Sequence, residues 1–233
     1  MKLNQLSVFF PAYNEGENIE NTVRRALKIL PLVAEKYEVI IVDDGSKDKT
    51  GEIADWLAKE TREVKVVHHW PNRGYGGALK TGFKTAQYLW VAFTDADGQF
   101  DFGEIKKFLP LVKDCDLILG YRLNRADSLT RKTGTFVWSF LARLLLGLDV
   151  KDYSCGFKLV KKKTFEEVQP LIGEEKVTQI EWLIKAKKKG FKFAEIGVCH
   201  YPREFGKQTG ASIKVVFKSI VDLFKLWWVL KKQ

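Results

Sequence analysis

The sequence predicts an α/β fold on a mostly parallel sheet with helices on both faces, and three observations carry that expectation. Short apolar runs alternate with helical patterns from Leu6 to Val198, the order that builds a parallel sheet covered on both sides. Four polar clusters fall at the carboxyl ends of these runs: Pro11 to Glu15, Asp43-Asp44, Asp95 with Asp97, and Arg122. In such sheets ligands sit outside the carboxyl ends of the strands, so four clusters on one edge predict one site. Finally, 233 residues at 45% hydrophobic and 13% aromatic can bury a full core.

In chain order, Leu6–Phe10 is the first strand, stopped by Pro11. Asn14 fits as the cap of the next helix, with Glu17 completing a capping box. Ile19, Val23, Ala26, Leu27 and Leu30 share one helical face, and Pro31 ends the pattern. Tyr37–Val42 is the second strand and runs into Asp43-Asp44-Gly45-Ser46. A helix carrying Ile53, Trp56 and Leu57 leads to the third strand, Val64–His69.

Asn72-Arg73-Gly74-Tyr75-Gly76-Gly77-Ala78 then opens a helix. Its glycines either let the backbone approach an anion at the helix N-terminus or allow tight helix–sheet packing. The stretch matches neither a Walker A loop nor a dinucleotide fingerprint. Leu89–Thr94 is the fourth strand, Phe102–Val112 a helix, and Cys115–Leu119 a fifth strand ending at Gly120-Tyr121-Arg122. Asp152–Leu159 reads as a turn into an added strand, Val177–Lys189 as a helix carrying Glu181, and Phe191–Val198 as the last strand.

The fourth strand delivers two carboxylates one residue apart, in Asp95-Ala96-Asp97-Gly98-Gln99. Two like charges at a buried strand end repel and are costly to desolvate. A divalent cation removes both problems, with Gln99 as a neutral oxygen donor nearby. The plain alternative is a turn, since Asp and Gly are ordinary turn residues.

The formal net charge of +10 points to an anionic partner. Cys115, Cys155 and Cys199 lack zinc spacing and read as free thiols. The sequence shows no signal-peptide pattern and no apolar run of spanning length. Thr135–Leu148 is strongly apolar on nearly every face, which suits a core helix or one lying partly in lipid. Residues 211–233 form a basic amphipathic pattern with Trp227-Trp228, suited to a membrane surface or to docking on the core. The expected organisation is one domain over 1–210 followed by that helix. A nucleic-acid module fits less well, because the aromatics are not interleaved with the basic residues.

Pro11-Ala12-Tyr13-Asn14-Glu15, Val42-Asp43-Asp44-Gly45-Ser46, the glycine-rich stretch and Asp95-Ala96-Asp97-Gly98-Gln99 occur in that order. As a set they resemble the family 2 inverting glycosyltransferases, whose fold is GT-A, a Rossmann-like nucleotide-diphospho-sugar transferase fold. The resemblance is closest to the branch of dolichol-phosphate mannose synthase and the polyprenyl-phosphate glycosyltransferases. That branch has a Gly-x-Arg strand end, like Gly120-Tyr121-Arg122. It has an Asp-x-x-Ser-Gly-Phe-Arg motif, matched from Asp152 except at Cys155 and Lys158, and a late Arg-x-x-Gly-x-Ser-Lys stretch, echoed from Arg203 except at Gln208 and Thr209.

The resemblance implies that Pro11, Ala12, Tyr13 and Glu15 line a nucleotide pocket, that Asp43 holds the base and that Asp44 lies beside it. Gly74, Gly77 and Lys80 would contact the nucleotide. Asp95, Asp97 and Gln99 would hold Mg2+ or Mn2+ and the donor diphosphate, with Ala96 between them in the donor site. Arg122 and Arg131 would meet the donor and acceptor phosphates and, with Asp97, carry catalysis; Arg203 and Lys207 would form a late phosphate-binding loop.

The expected reaction moves a hexose from a nucleoside-diphosphate sugar, of the GDP-mannose or UDP-glucose type, to a polyprenyl or dolichyl phosphate. A sugar-hydroxyl acceptor is the alternative, and it needs a general base, for which Asp152 and Glu181 are the candidates. A lipid phosphate needs none, being ionised at neutral pH. The expected place is the cytoplasmic membrane face, peripherally bound to an anionic surface.

Overall fold

The computed structural model describes residues 1–123, 147, 150–173, 177–206, 221, 226, 228 and 231. Arg131, Lys207, all of Thr135–Leu148 but Gly147, and most of 211–233 lie outside the described residues. Seven strands form one sheet: β1 (Leu3–Ala12), β2 (Ala34–Asp43), β3 (Val64–His68), β4 (Trp90–Phe93), β5 (Leu117–Leu123), β6 (Lys158–Lys161) and β7 (Phe193–Cys199). Their order across the sheet is β3-β2-β1-β4-β6-β5-β7. Strands β1, β2, β3 and β4 pair in parallel, and so do β5 and β7. Only β6 is antiparallel, to β4 and β5 on its two sides. Hence β5 points the same way as β4, and the carboxyl ends of every strand but β6 share an edge.

The helices are α1 (Ile19–Val33), α2 (Thr50–Glu60), α3 (Gly74–Thr85), α4 (Lys163–Glu166) and α5 (Val177–Lys188). The central strands are apolar at nearly every position because both faces are covered. Val8 and Phe10 enter the core under α1 and α2, whereas Phe9 enters the opposite core with Phe83, Phe93, Phe165 and Trp182. Phe9 stacks on Phe93 at 5.0 Å and meets Phe83 edge-on at 5.1 Å. A Cβ at Gly82 would lie 2.4 Å from the Phe9 ring, so the glycine lets α3 settle directly on the strand. Each buried ring removes enough apolar area to stabilise the fold by roughly 1.5–3 kcal/mol.

Several local expectations are corrected. Asn14 does not cap α1: it sits at φ 56, and Asn18 precedes the helix. The Asn14 side chain instead accepts from Lys47 N, tying the β1 loop to the β2 loop. Pro31 does not end α1, which continues to Val33. The span Phe102–Val112 folds as two 3-10 helices, Phe102–Lys107 and Leu109–Lys113, with Pro110 in the first turn of the second. Arg122 lies within β5, which pairs with β7 up to Leu123 and Cys199. In the terminal segment Leu226 is buried in the α5-side core, while Trp228 is 57% exposed.

Candidate active site

The shared strand edge gathers most of the predicted residues. β1 delivers Pro11, Ala12, Tyr13 and Glu15; β2 delivers Asp43 and Asp44; β4 delivers Asp95, Ala96 and Asp97. Arg122 comes from β5 and Arg203 from the segment after β7, and Asp152 enters on the turn that leads into β6.

The acidic centre is built locally. Thr22 on α1 donates to the Ala96 carbonyl at 3.2 Å and fixes the Asp95–Asp97 turn against that helix. Gly98, at φ +73, reverses the chain there, and Gln99 N donates to Asp97 Oδ1 at 3.1 Å. Gln99 Nε2 donates to the Tyr201 carbonyl, and Tyr201 N donates back to the Gln99 carbonyl. Gln99 therefore braces the Arg203 segment onto the turn, a role the expected cation-ligand assignment did not foresee.

Arg203 lies between two carboxylates, 2.6 Å from Glu15 Oε2 and 3.8 Å from Asp97 Oδ2. Burial is the main cause that raises Glu15 above the usual carboxylate range, against the lowering pull of Arg203 and Asn18. Burial, and then the neighbouring Asp95 charge, push Asp97 up to about 7. Removing the guanidinium leaves both acids without their cation. Arg203→Ala should therefore lower the melting temperature more at pH 8, above the value near 7 of Asp97, than at pH 5; thermal denaturation at the two pH values measures the difference.

Asp95 is held on two sides. Tyr75 donates its hydroxyl proton to Oδ1 at 3.1 Å, and the Gly156 backbone lies against the carboxylate. Among the described residues no group of three or more His, Cys, Asp or Glu side chains is placed to hold a metal ion. Two mutually repelling carboxylates, one held near neutral pKa, still fit a hard divalent cation. Mg2+ in particular is bound by one or two carboxylates with substrate phosphates completing the shell.

At the end of β2, both acids of the pair already have partners. Asp43 accepts from Ser46 N at 3.1 Å and faces His68 Nδ1 at 2.9 Å. Asp44 faces His69 Nδ1 at 2.6 Å and accepts from Arg73 N at 2.8 Å. His68 is also 3.0 Å from Asp55, and its hydrogen bond to Asp43 is the first cause raising its pKa. Gly74 opens α3 at φ +73, and a Cβ at Gly77 would meet Arg73 at 2.6 Å.

Three predicted residues turn out to be engaged with the protein itself. Lys80 donates to the carbonyls of Leu171 and Gly173 and so anchors the loop before α5. Glu181 is fully buried, accepts from Ile172 N and Gly173 N, and pairs with Lys185 at 2.7 Å; this is a loop anchor, unsuited to act as a base. Asp152 holds Arg122 in a two-point pair at 2.7 and 2.9 Å and accepts from Ser154.

Sequence reasoning gave no role to Tyr75, His68, His69, Lys158 or Gln179. Lys158 stood out only as a departure from an arginine, yet it is wholly buried. Burial pulls its pKa down to about 8.

Residues 7–169 match the family described as Glycosyl transferase family 2. Glycosyltransferase AglD of Haloferax volcanii is 32% identical over 97% of this chain, which spans only 37% of that relative's length. The dodecaprenyl-phosphate galacturonate synthase of Rhizobium johnstonii is 27% identical over 97% of this chain and 68% of its own. Among solved structures, glucosyl-3-phosphoglycerate synthase from Mycobacterium tuberculosis, in complex with Mn2+, UDP and phosphoglyceric acid, superposes with a TM-score of 0.76. It is 16% identical and covers 96% of this chain and 78% of its own, so the likeness is one of fold.

Proposed function

The chain belongs to glycosyl transferase family 2, and from that premise we propose that it moves a hexose from a nucleoside-diphosphate sugar to a polyprenyl or dolichyl phosphate, with inversion. The observation that carries this choice of acceptor is the engagement of the two candidate bases. Asp152 is locked onto Arg122, and Glu181 is sealed under the α5 loop. A hydroxyl acceptor requires a positioned base. A lipid phosphate is ionised already and requires cations to approach an anionic donor.

In this reading the β1 and β2 ends seat the nucleoside, and Asp95 and Asp97 hold Mg2+ or Mn2+. That ion would offset charge gathering on the departing diphosphate. Arg122, oriented by Asp152 and Ser154, faces the phosphate of the acceptor. Arg203 is held beside Asp97 by Glu15 and the Phe205 carbonyl, and it supplies a second cation on the leaving-group side. No described helix is long and apolar enough to cross a membrane. A peripheral contact through the basic terminal segment accords with the net charge of +10 and the exposed Trp228.

The test is release of free nucleoside diphosphate by purified protein given polyprenyl phosphate and Mn2+ or Mg2+ with GDP-mannose or UDP-glucose. No release with either donor overturns the proposal. Asp152→Asn separates the two acceptor chemistries. If Asp152 orients Arg122, kcat/KM falls by about 10- to 100-fold and the shape of the pH–rate profile stays. A general base would lose about 100- to 10,000-fold together with a limb of that profile.

A further inference from the structure

A chain of side chains drawn from four separate parts of the sequence runs from a buried lysine to Asp95. Lys158 Nζ donates to Gln179 Oε1 at 2.6 Å, to the Tyr153 carbonyl at 3.2 Å and to the Cys155 carbonyl. Gln179 Nε2 donates to the Tyr75 hydroxyl at 3.1 Å, and Tyr75 donates to Asp95 Oδ1 at 3.1 Å. Lys158 also lies 5.5 Å from the Phe93 ring centroid. We propose that Lys158, acting through Gln179 and Tyr75, is a positioning relay that fixes the Asp95 carboxylate for a divalent cation. The inference rests on the reading that Asp95 helps hold that cation.

The chemistry of the partners sets the direction of every bond. An ammonium has only donors, so the amide of Gln179 must turn its oxygen toward Lys158. Its NH2 group then faces Tyr75, whose hydroxyl must accept there. The single hydroxyl proton of Tyr75 is left for Asp95, which has only acceptors when ionised. A donor-only group at one end and an acceptor-only group at the other admit one arrangement. Placing an ammonium in the interior costs several kcal/mol and is tolerated only where its protons find acceptors. No carboxylate among the described residues pairs with Lys158. Its three oxygen partners satisfy the charge, and one of them is the amide that continues the chain. An apolar side chain would fill the same space without that cost, which is why the arrangement points past packing. Groups behind a metal ligand typically change metal affinity or activity by 10- to 100-fold when lost.

The test reads Mn2+ affinity directly, as the loss of the free-ion EPR signal on titration with Mn2+ alone. Tyr75→Phe removes one oxygen and should weaken Mn2+ binding about tenfold, with the melting temperature close to wild type. Gln179→Glu is the sharper variant. It presents an acceptor to both neighbours, so Lys158 gains an ion pair while Tyr75 can turn its proton away from Asp95. The expected result is Mn2+ affinity reduced at least as far as in Tyr75→Phe, with a melting temperature no lower than wild type. A merely structural role predicts the opposite pairing, with stability lost and affinity kept. Both variants binding Mn2+ within twofold of wild type overturns the relay and leaves the proposed function standing. Wild-type protein that binds no Mn2+, with or without nucleoside diphosphate, overturns the metal reading and the relay with it. If Gln179→Glu fails to fold, Tyr75→Phe decides alone.

Discussion

Asp97→Asn should make the metal-free protein more heat-stable at pH 8 and at the same time cut turnover by about 100- to 1,000-fold, the scale of removing one preorganised electrostatic group from an active site. The carboxyl is pushed from 3.8 up to about 7 by burial and by Asp95. A folded-state value above the unfolded one means the folded chain holds the proton more tightly. The stability tied to this group is therefore present in full below about pH 4 and is lost as pH rises through 7. By linkage the ionised group destabilises the metal-free fold on the order of 2–4 kcal/mol at pH 8. Asparagine keeps the shape and accepts the Gln99 amide without carrying charge. Thermal denaturation across pH 5 to 8 should show the wild-type curve falling and the variant nearly level. Adding Mn2+ at pH 8 should raise the wild-type melting temperature by mass action and leave the variant unmoved. A variant less stable than wild type at pH 8, or one equally stabilised by Mn2+, would contradict the assignment.

That site was legible in the sequence to the extent that its chemistry is contiguous. Asp95 and Asp97 stand at the end of an apolar run, and the run is apolar because β4 is buried on both faces, Trp90 and Ala92 in one core and Val91 and Phe93 in the other. The same double burial made β1 and β2 readable, although both extend beyond the apolar run that marked them. Side-chain direction was not legible. Glu181 and Lys80 looked like charged residues available to a substrate, and tertiary packing turned each onto the loop at Leu171–Gly173. Asn14 and Glu17 have the spacing of a capping box, but the tie from Asn14 to Lys47 pulls the chain into the left-handed region and delays the helix to Ile19. The relay could not be found by spacing at all. Residues 75, 95, 158 and 179 meet only because β6 inserts antiparallel between β4 and β5 and α5 lies over the same face.

A single methyl group should do nearly as much damage as losing a carboxylate. The Cβ of Gly156→Ala would stand 2.4 Å from Asp95 Oδ2, 2.6 Å from its Cγ and 2.8 Å from Oδ1. All three lie below any tolerable contact, so the carboxylate must shift. It cannot simply rotate, because Tyr75 holds Oδ1 from the other side. Gly156 is not among the glycines with positive φ, so alanine fits the backbone and the conflict falls on Asp95 alone. Overpacking of this kind costs about 1–3 kcal/mol of stability. Mn2+ affinity and turnover should each fall by about 100-fold, the upper end of what a displaced ligand environment causes. Gly82→Ala is the matched control: its Cβ would strike the Phe9 ring at 2.4 Å, and its three nearest atoms all belong to that ring. It should destabilise at least as much, yet the protein that remains folded should bind Mn2+ as wild type does. Comparing the two by melting temperature and Mn2+ titration separates general strain from displacement of one side chain. Wild-type Mn2+ affinity in Gly156→Ala would mean that Asp95 is not where the cation is held.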